Sequence, residues 1–117
     1  MIGIRGATTV TENSEEAILE ASKELILEIE KSNSIDRNKV ASMIFTCTND
    51  LDKVAPSKAA RDLGYLNTAL LNFNEMYVEN TLKMSIRVLI MYNSSKEQSE
   101  AKHVYLRGTK TLRPDLF

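Results

Sequence analysis

One long amphipathic pattern stands among several short β-branched runs, and this imbalance limits the chain to a small sheet with helical cover on one side. From Asn13 onward, Ile18, Ala21, Leu25 and Ile29 fall on one helical face with Leu19 and Ile26 beside them. Glu15, Glu20, Lys23, Glu24, Glu28 and Lys31 lie largely elsewhere. Asn13 is the expected N-cap, with Glu16 at capping-box spacing, and the helix is expected to end near Ser32-Asn33-Ser34. The β-branched and aromatic runs predict strands over residues 2–10, 40–48, 68–73 and 86–92, with a shorter terminal pair over 103–106 and 109–112. Pro56 fits the first turn of a second, short helix, and Gly64 fits its C′ position. Residues 94–101 form a polar stretch that suits a short helix. The β-α-β-α-β-β order predicts an α/β (α+β) sandwich: a mixed β-sheet with helices on one face, in a single domain over residues 1–117. The other face of so small a sheet then needs a second subunit to cover it, so an oligomer is expected.

Two arginines interrupt the strand patterns. Arg5 stands in Ile2-Gly3-Ile4-Arg5-Gly6-Ala7-Thr8-Thr9-Val10, and Arg87 in Ile86-Arg87-Val88-Leu89-Ile90-Met91. Both runs read as buried strand. A guanidinium cannot shed its charge, so in such a place it must be paired and hydrogen-bonded. Its planar fork matches a carboxylate bidentately. Arg5 and Arg87 therefore either meet protein carboxylates or await an anionic ligand. Lys58 and Arg61, three apart on the short helix, Tyr105, Arg113 and the strand-end Glu75 each have an ordinary structural reading alone. Together they suggest a pocket for a small polyanion.

Other chemistries find little support. One cysteine, Cys47, and one histidine, His103, give no metal-ligand spacing. They could form a thiol–imidazole pair, but Cys47 lies in an apolar run and reads better as a small core residue. No nucleophile-elbow spacing surrounds a serine, and Gly3 and Gly6 lack the rest of a dinucleotide fingerprint. A net charge of −1 argues against general attraction to nucleic acid or anionic membranes. The start of the chain lacks the basic and long apolar regions of a signal peptide, and Val88 to Met91 is too short to cross a bilayer. With a single cysteine, these features lead us to expect a cytoplasmic protein.

Gly3-Ile4-Arg5-Gly6-Ala7-Thr8-Thr9-Val10, Asn74-Glu75-Met76 before Ile86-Arg87-Val88, and His103-Val104-Tyr105-Leu106 before Leu112-Arg113-Pro114-Asp115-Leu116 resemble the AroH-type monofunctional chorismate mutases. The match is collinear over nearly the whole chain. The resemblance implies a homotrimer with a pseudo-α/β-barrel core and active sites at subunit interfaces. It implies the Claisen rearrangement of chorismate to prephenate, in the shikimate route to phenylalanine and tyrosine, with no cofactor and no metal. Arg5 would bind a substrate carboxylate. Arg87 would bind a carboxylate and the ether oxygen, and Glu75 would accept from the ring hydroxyl. Tyr105 would hydrogen-bond the side-chain carboxylate, and Arg61 and Lys58 would come from a neighbouring subunit. Leu112 and Arg113 would help to close the pocket. Asn72 stands where the family often has Cys and would hydrogen-bond the hydroxyl; Ala55 stands where an aromatic residue often precedes Pro56. The segment around Leu63-Gly64-Tyr65 is one residue shorter than usual. Two further readings stand beside this one: a small trimeric enamine/imine deaminase-like protein, and a non-catalytic binder of a polyanionic carboxylate metabolite.

Overall fold

The amphipathic run forms helix α1, Glu15–Asn33, in a computed structural model that describes residues 1–112. Its N-cap is Ser14, one residue later than expected: the Ser14 side chain accepts from the Ala17 backbone N–H at 3.1 Å. Asn13 is engaged elsewhere, donating to Asp52 Oδ1 at 2.8 Å and accepting from the Asp52 N–H. The helix stops at Ser34, which takes the left-handed conformation at φ 51°. Ile18, Ala21, Leu25, Ile26 and Ile29 make its buried face. Gly6 lets that face approach the sheet closely, since a Cβ there would lie 2.6 Å from Ile29 Cδ1.

Around α1 run strands β1 (Ile2–Thr9), β2 (Val40–Cys47), β3 (Ala69–Asn74), β4 (Ser85–Tyr92) and β5 (Val104–Tyr105), with helix α2 at Ser57–Asp62. The sheet order is β3-β2-β4-β1-β5. β4 pairs antiparallel with β1 and β2, while β3 and β5 add in parallel at the two edges. The mixed sheet with helices on one face is thus as the element order predicted. Pro56 supplies the N-cap position of α2, and Gly64 ends it at φ 104°. The polar stretch contributes only a 3-10 turn, Gln98–Glu100.

The last expected strand is not one. Arg107–Leu112 is a 3-10 turn. The Thr109 hydroxyl donates to the Ala7 and Leu106 carbonyls at 3.0 and 2.7 Å, folding the segment back across β1 instead of extending it. Leu112 closes the backbone of this turn. Arg113 and the Pro114-Asp115-Leu116 stretch lie outside the described residues.

Strand alternation sorts side chains into two faces. Ile4, Ile90 and Met43 align across β1, β4 and β2, as do Gly6, Val88 and Phe45, and their side chains pack under the helices. The opposite rows are Arg5, Leu89, Ile44 and Leu71, then Ala7, Arg87, Thr46 and Phe73. No helix among the described residues covers these rows, and Leu71 and Phe73 are 56% and 54% exposed. Arg5 and Arg87 stand here, so the expectation that they are buried is corrected: both are exposed in the single chain. The apolar run around Arg87 is apolar because alternate residues serve the core, with Val88 and Ile90 buried while Leu89 and Met91 are only half-buried.

Candidate active site

Register alone assembles most of the site. Arg5 and Ala7 on β1, Arg87 and Leu89 on β4, and Ile44 and Thr46 on β2 share the uncovered face, and Tyr105 joins them beside Ala7. Glu75 follows β3 directly. Its backbone N–H donates to the Cys47 carbonyl at 2.9 Å, which keeps it beside β2 and lets its carboxylate return over Thr46. These residues line a cleft of about 290 Å³ with an apolar floor.

The charges in the cleft are unbalanced. Arg87 Nε lies 3.2 Å from Glu75 Oε1, with the arginine side chain 45% and the glutamate 23% exposed. The Thr46 hydroxyl donates to that same oxygen at 2.7 Å. Glu75 Oε2 has no hydrogen-bond partner among the described residues, and the Arg5 guanidinium has no ion pair among them. Two permanent cations thus face one carboxylate across a partly enclosed apolar surface, a setting that favours an anionic ligand. Tyr105, 7% exposed, adds a phenol to the lining of the cleft.

Arg5 is fixed through its backbone. Its N–H donates to His103 Nδ1 at 3.0 Å, so that ring nitrogen acts as an acceptor along the outer edge of β1. The same edge is closed at Gly3 by the Gln98 amide, which accepts from its N–H at 2.8 Å and donates to its carbonyl at 2.6 Å. His103 is therefore committed to β1, three strand positions from Cys47 and roughly 14 Å away at ordinary strand spacing. Burial, and then the nearby Asp50 and Glu75 charges, raise the Cys47 pKa and hold the thiol protonated. The thiol–imidazole pair does not form. Among the described residues no cluster of His, Cys, Asp and Glu could hold a metal ion.

Three expected site residues lie apart from this cleft. Lys58 and Arg61 are on α2, against the helical layer, with Lys58 Nζ 3.6 Å from Glu15 Oε1 and Arg61 exposed. Asn72 shares the row of buried Phe45 and turns toward α2. It accepts from the Ser57 N–H at 3.2 Å and donates to the Ser57 hydroxyl at 2.8 Å. Thr46 was not foreseen as part of the site. Its only sequence signal is the alternation that puts it on the same face as Ile44, and its register against Arg87 has none. No helix among the described residues is long and apolar enough to cross a membrane.

Fold and site define a class: a small mixed-sheet protein with an uncovered face that presents arginines, a carboxylate and a phenol. The sequence pattern of the chorismate mutase type I family matches residues 1–116, and the chain belongs to that family. It is 44% identical over 115 residues to chorismate mutase AroH of Thermus thermophilus, covering 97% of this chain and 94% of that protein. It is 40% identical over 115 residues to chorismate mutase AroH of Bacillus subtilis (strain 168), covering 97% and 91%. The solved chorismate mutase from Clostridium thermocellum superposes with a TM-score of 0.92 at 40% identity, over 95% of this chain and 99% of that one.

Proposed function

We propose that this chain is a chorismate mutase, an isomerase of aromatic amino-acid biosynthesis that converts chorismate to prephenate in the cytoplasm. The observation that carries the reading is the two-arginine, one-glutamate cleft on the uncovered sheet face of a member of this family. Chorismate carries two carboxylates, an ether oxygen and a ring hydroxyl. Arg5 binds a carboxylate. Arg87 turns its terminal nitrogens to the other carboxylate and to the ether oxygen, where negative charge grows as the C–O bond breaks and the new C–C bond forms. Glu75 Oε2 accepts from the ring hydroxyl, and Tyr105 donates to the side-chain carboxylate. The rearrangement is intramolecular, so catalysis consists of holding a compact conformer and stabilising the ether oxygen with donors already in place.

The cleft of one chain is open, and the apolar surface continues past it to Leu71 and Phe73. A homotrimer would cover that face and bring Lys58 and Arg61 of a neighbouring copy to the substrate, with Leu112 and Arg113 closing the mouth. Asn72 would then act through Ser57 at the start of α2, or at the substrate hydroxyl after a rotamer change. The chain acts as one domain over residues 1–117, without cofactor or metal.

Purified protein mixed with chorismate should speed the loss of chorismate and the appearance of prephenate well above the spontaneous rearrangement. A rate equal to the uncatalysed one overturns the reading. Sedimentation should give a trimer, and an active monomer would contradict the shared site.

A further inference from the structure

We infer that Asn72 is a positioning residue that caps α2 from β3 and so fixes Lys58 and Arg61, and not a substrate contact; its effect on substrate binding rests on the reading above. α2 begins without a cap of its own. Its N-cap position is Pro56, which makes no side-chain hydrogen bond. By contrast, α1 and the 3-10 turn Arg37–Lys39 are capped by their own N-cap side chains, Ser14 and Asp36. In the first turn of α2 the Lys58 and Ala59 N–H groups donate to the Ala55 and Pro56 carbonyls at 3.1 and 3.0 Å. The Ser57 N–H is taken up from outside the helix, by Asn72 Oδ1 at 3.2 Å. Asn72 Nδ2 donates to the Ser57 hydroxyl at 2.8 Å, so one amide grips one residue at two points from fifteen positions away.

Ser57 is 1% exposed, so a first-turn N–H there needs an acceptor from the protein. Asn72 stands in the Phe45 row, on the opposite face of the sheet from the Arg5–Arg87 cleft. Within one chain it therefore serves α2 and not the cleft. Lys58 and Arg61 follow Ser57 by one and four residues, so the start of the helix sets the direction of both side chains. Two ion pairs also join α2 to α1, Lys58 to Glu15 and Lys23 to Asp62, each at 3.6 Å. Both are between exposed groups, and such pairs hold a backbone weakly. The Asn72 cap acts on the backbone itself at the start of α2, as Arg37 does on the Leu63 carbonyl at its end.

Amide hydrogen exchange, read by NMR, tests the cap without any turnover. The Ser57 N–H should be protected in the parent and exchange roughly three- to tenfold faster in Asn72→Ala, the scale of a lost cap. Asn72→Asp, which keeps an acceptor, should retain most of the protection. An unprotected Ser57 N–H in the parent, or equal protection in Asn72→Ala, overturns the inference. With chorismate, Asn72→Ala should raise KM by roughly three- to tenfold, with kcat nearly unchanged. Ser57→Ala, which removes one of the two bonds, should raise KM in the same direction by less. In a Lys58→Ala, Arg61→Ala background there is nothing left to aim, so Asn72→Ala should leave KM nearly unchanged. An equal rise in that background is the mark of direct contact with substrate and overturns the inference, as does a fall in kcat with KM unchanged. A parent protein that does not accelerate the rearrangement defeats the functional reading, and the exchange at Ser57 then decides the role of Asn72 alone.

Discussion

Two arginine–glutamate pairs in this molecule use the same chemistry to opposite ends. On the helical side, Arg37 grips Glu30 at two points, Nε to Oε2 at 2.7 Å and Nη2 to Oε1 at 3.1 Å. The Tyr65 hydroxyl donates to Glu30 Oε2 at 2.5 Å, the guanidinium lies 5.3 Å from the Tyr65 ring centroid, and Nη1 donates to the Leu63 carbonyl. Both carboxylate oxygens and every guanidinium nitrogen are occupied, and the Glu30 side chain is only 15% exposed. On the sheet side, Arg87 Nε lies 3.2 Å from Glu75 Oε1, and among the described residues neither Glu75 Oε2 nor the terminal nitrogens of Arg87 have a hydrogen-bond partner. The first pair joins α1, the chain after it and the end of α2, and has nothing left to offer a ligand. The second is incomplete, and that incompleteness is what a substrate can use. Under the proposed function, saturation is what separates the structural ion pair from the one that meets substrate.

The contrast breaks most sharply by mutation. Arg87→Gln should lower kcat by roughly a hundred- to a thousandfold, the usual scale for one transition-state donor, with the melting temperature nearly unchanged. Steady-state kinetics beside a thermal melt check both halves. Arg37→Met should do the reverse: about 2 kcal/mol of stability lost in a urea titration, with turnover intact well below the melting point. If Arg37→Met costs activity without stability, the two pairs are not separated as claimed. Tyr65→Phe should cost about 1 kcal/mol. It should also blunt the alkaline loss of stability. Burial, then the hydrogen bond to and charge of Glu30, raise the phenol above its ordinary pKa of 10.0. The folded state thus favours the neutral phenol, so its contribution is full below about pH 10 and is lost as pH rises toward the raised value. Urea titrations of parent and Tyr65→Phe between neutral and strongly alkaline pH read the difference.

The sequence made the fold legible because its signals were periodic. The face of α1 built on Ile18, Ala21, Leu25 and Ile29 is the buried one, and four long strands fall where β-branched runs placed them. Local hydrogen bonds decided the misses. Ser14 rather than Asn13 caps α1 because Asn13 is drawn to Asp52, thirty-nine positions away. Thr109 turns its segment into a 3-10 helix by bonding to Ala7 across the fold. Arg5 and Arg87 were visible as anomalies, but composition could not say that every second residue around them faces away from the helices. Glu75 acquired a role only through resemblance, since its position depends on one backbone bond to Cys47. Thr46 carried no signal beyond strand alternation, and the Arg37–Glu30 clamp carried none. A threonine in a strand is ordinary, and partners seven apart on different elements match no helical or strand spacing.

Nitrogen-15 NMR of the arginine side chains during titration with prephenate, the product, reads both pairs in one experiment. The Arg87 and Arg5 guanidinium signals should shift in step with binding while the Arg37 signals stay fixed. Static Arg87 signals, or an Arg37 response as large as that of Arg87, would contradict the assignment of the open pair to the substrate and the closed pair to the fold.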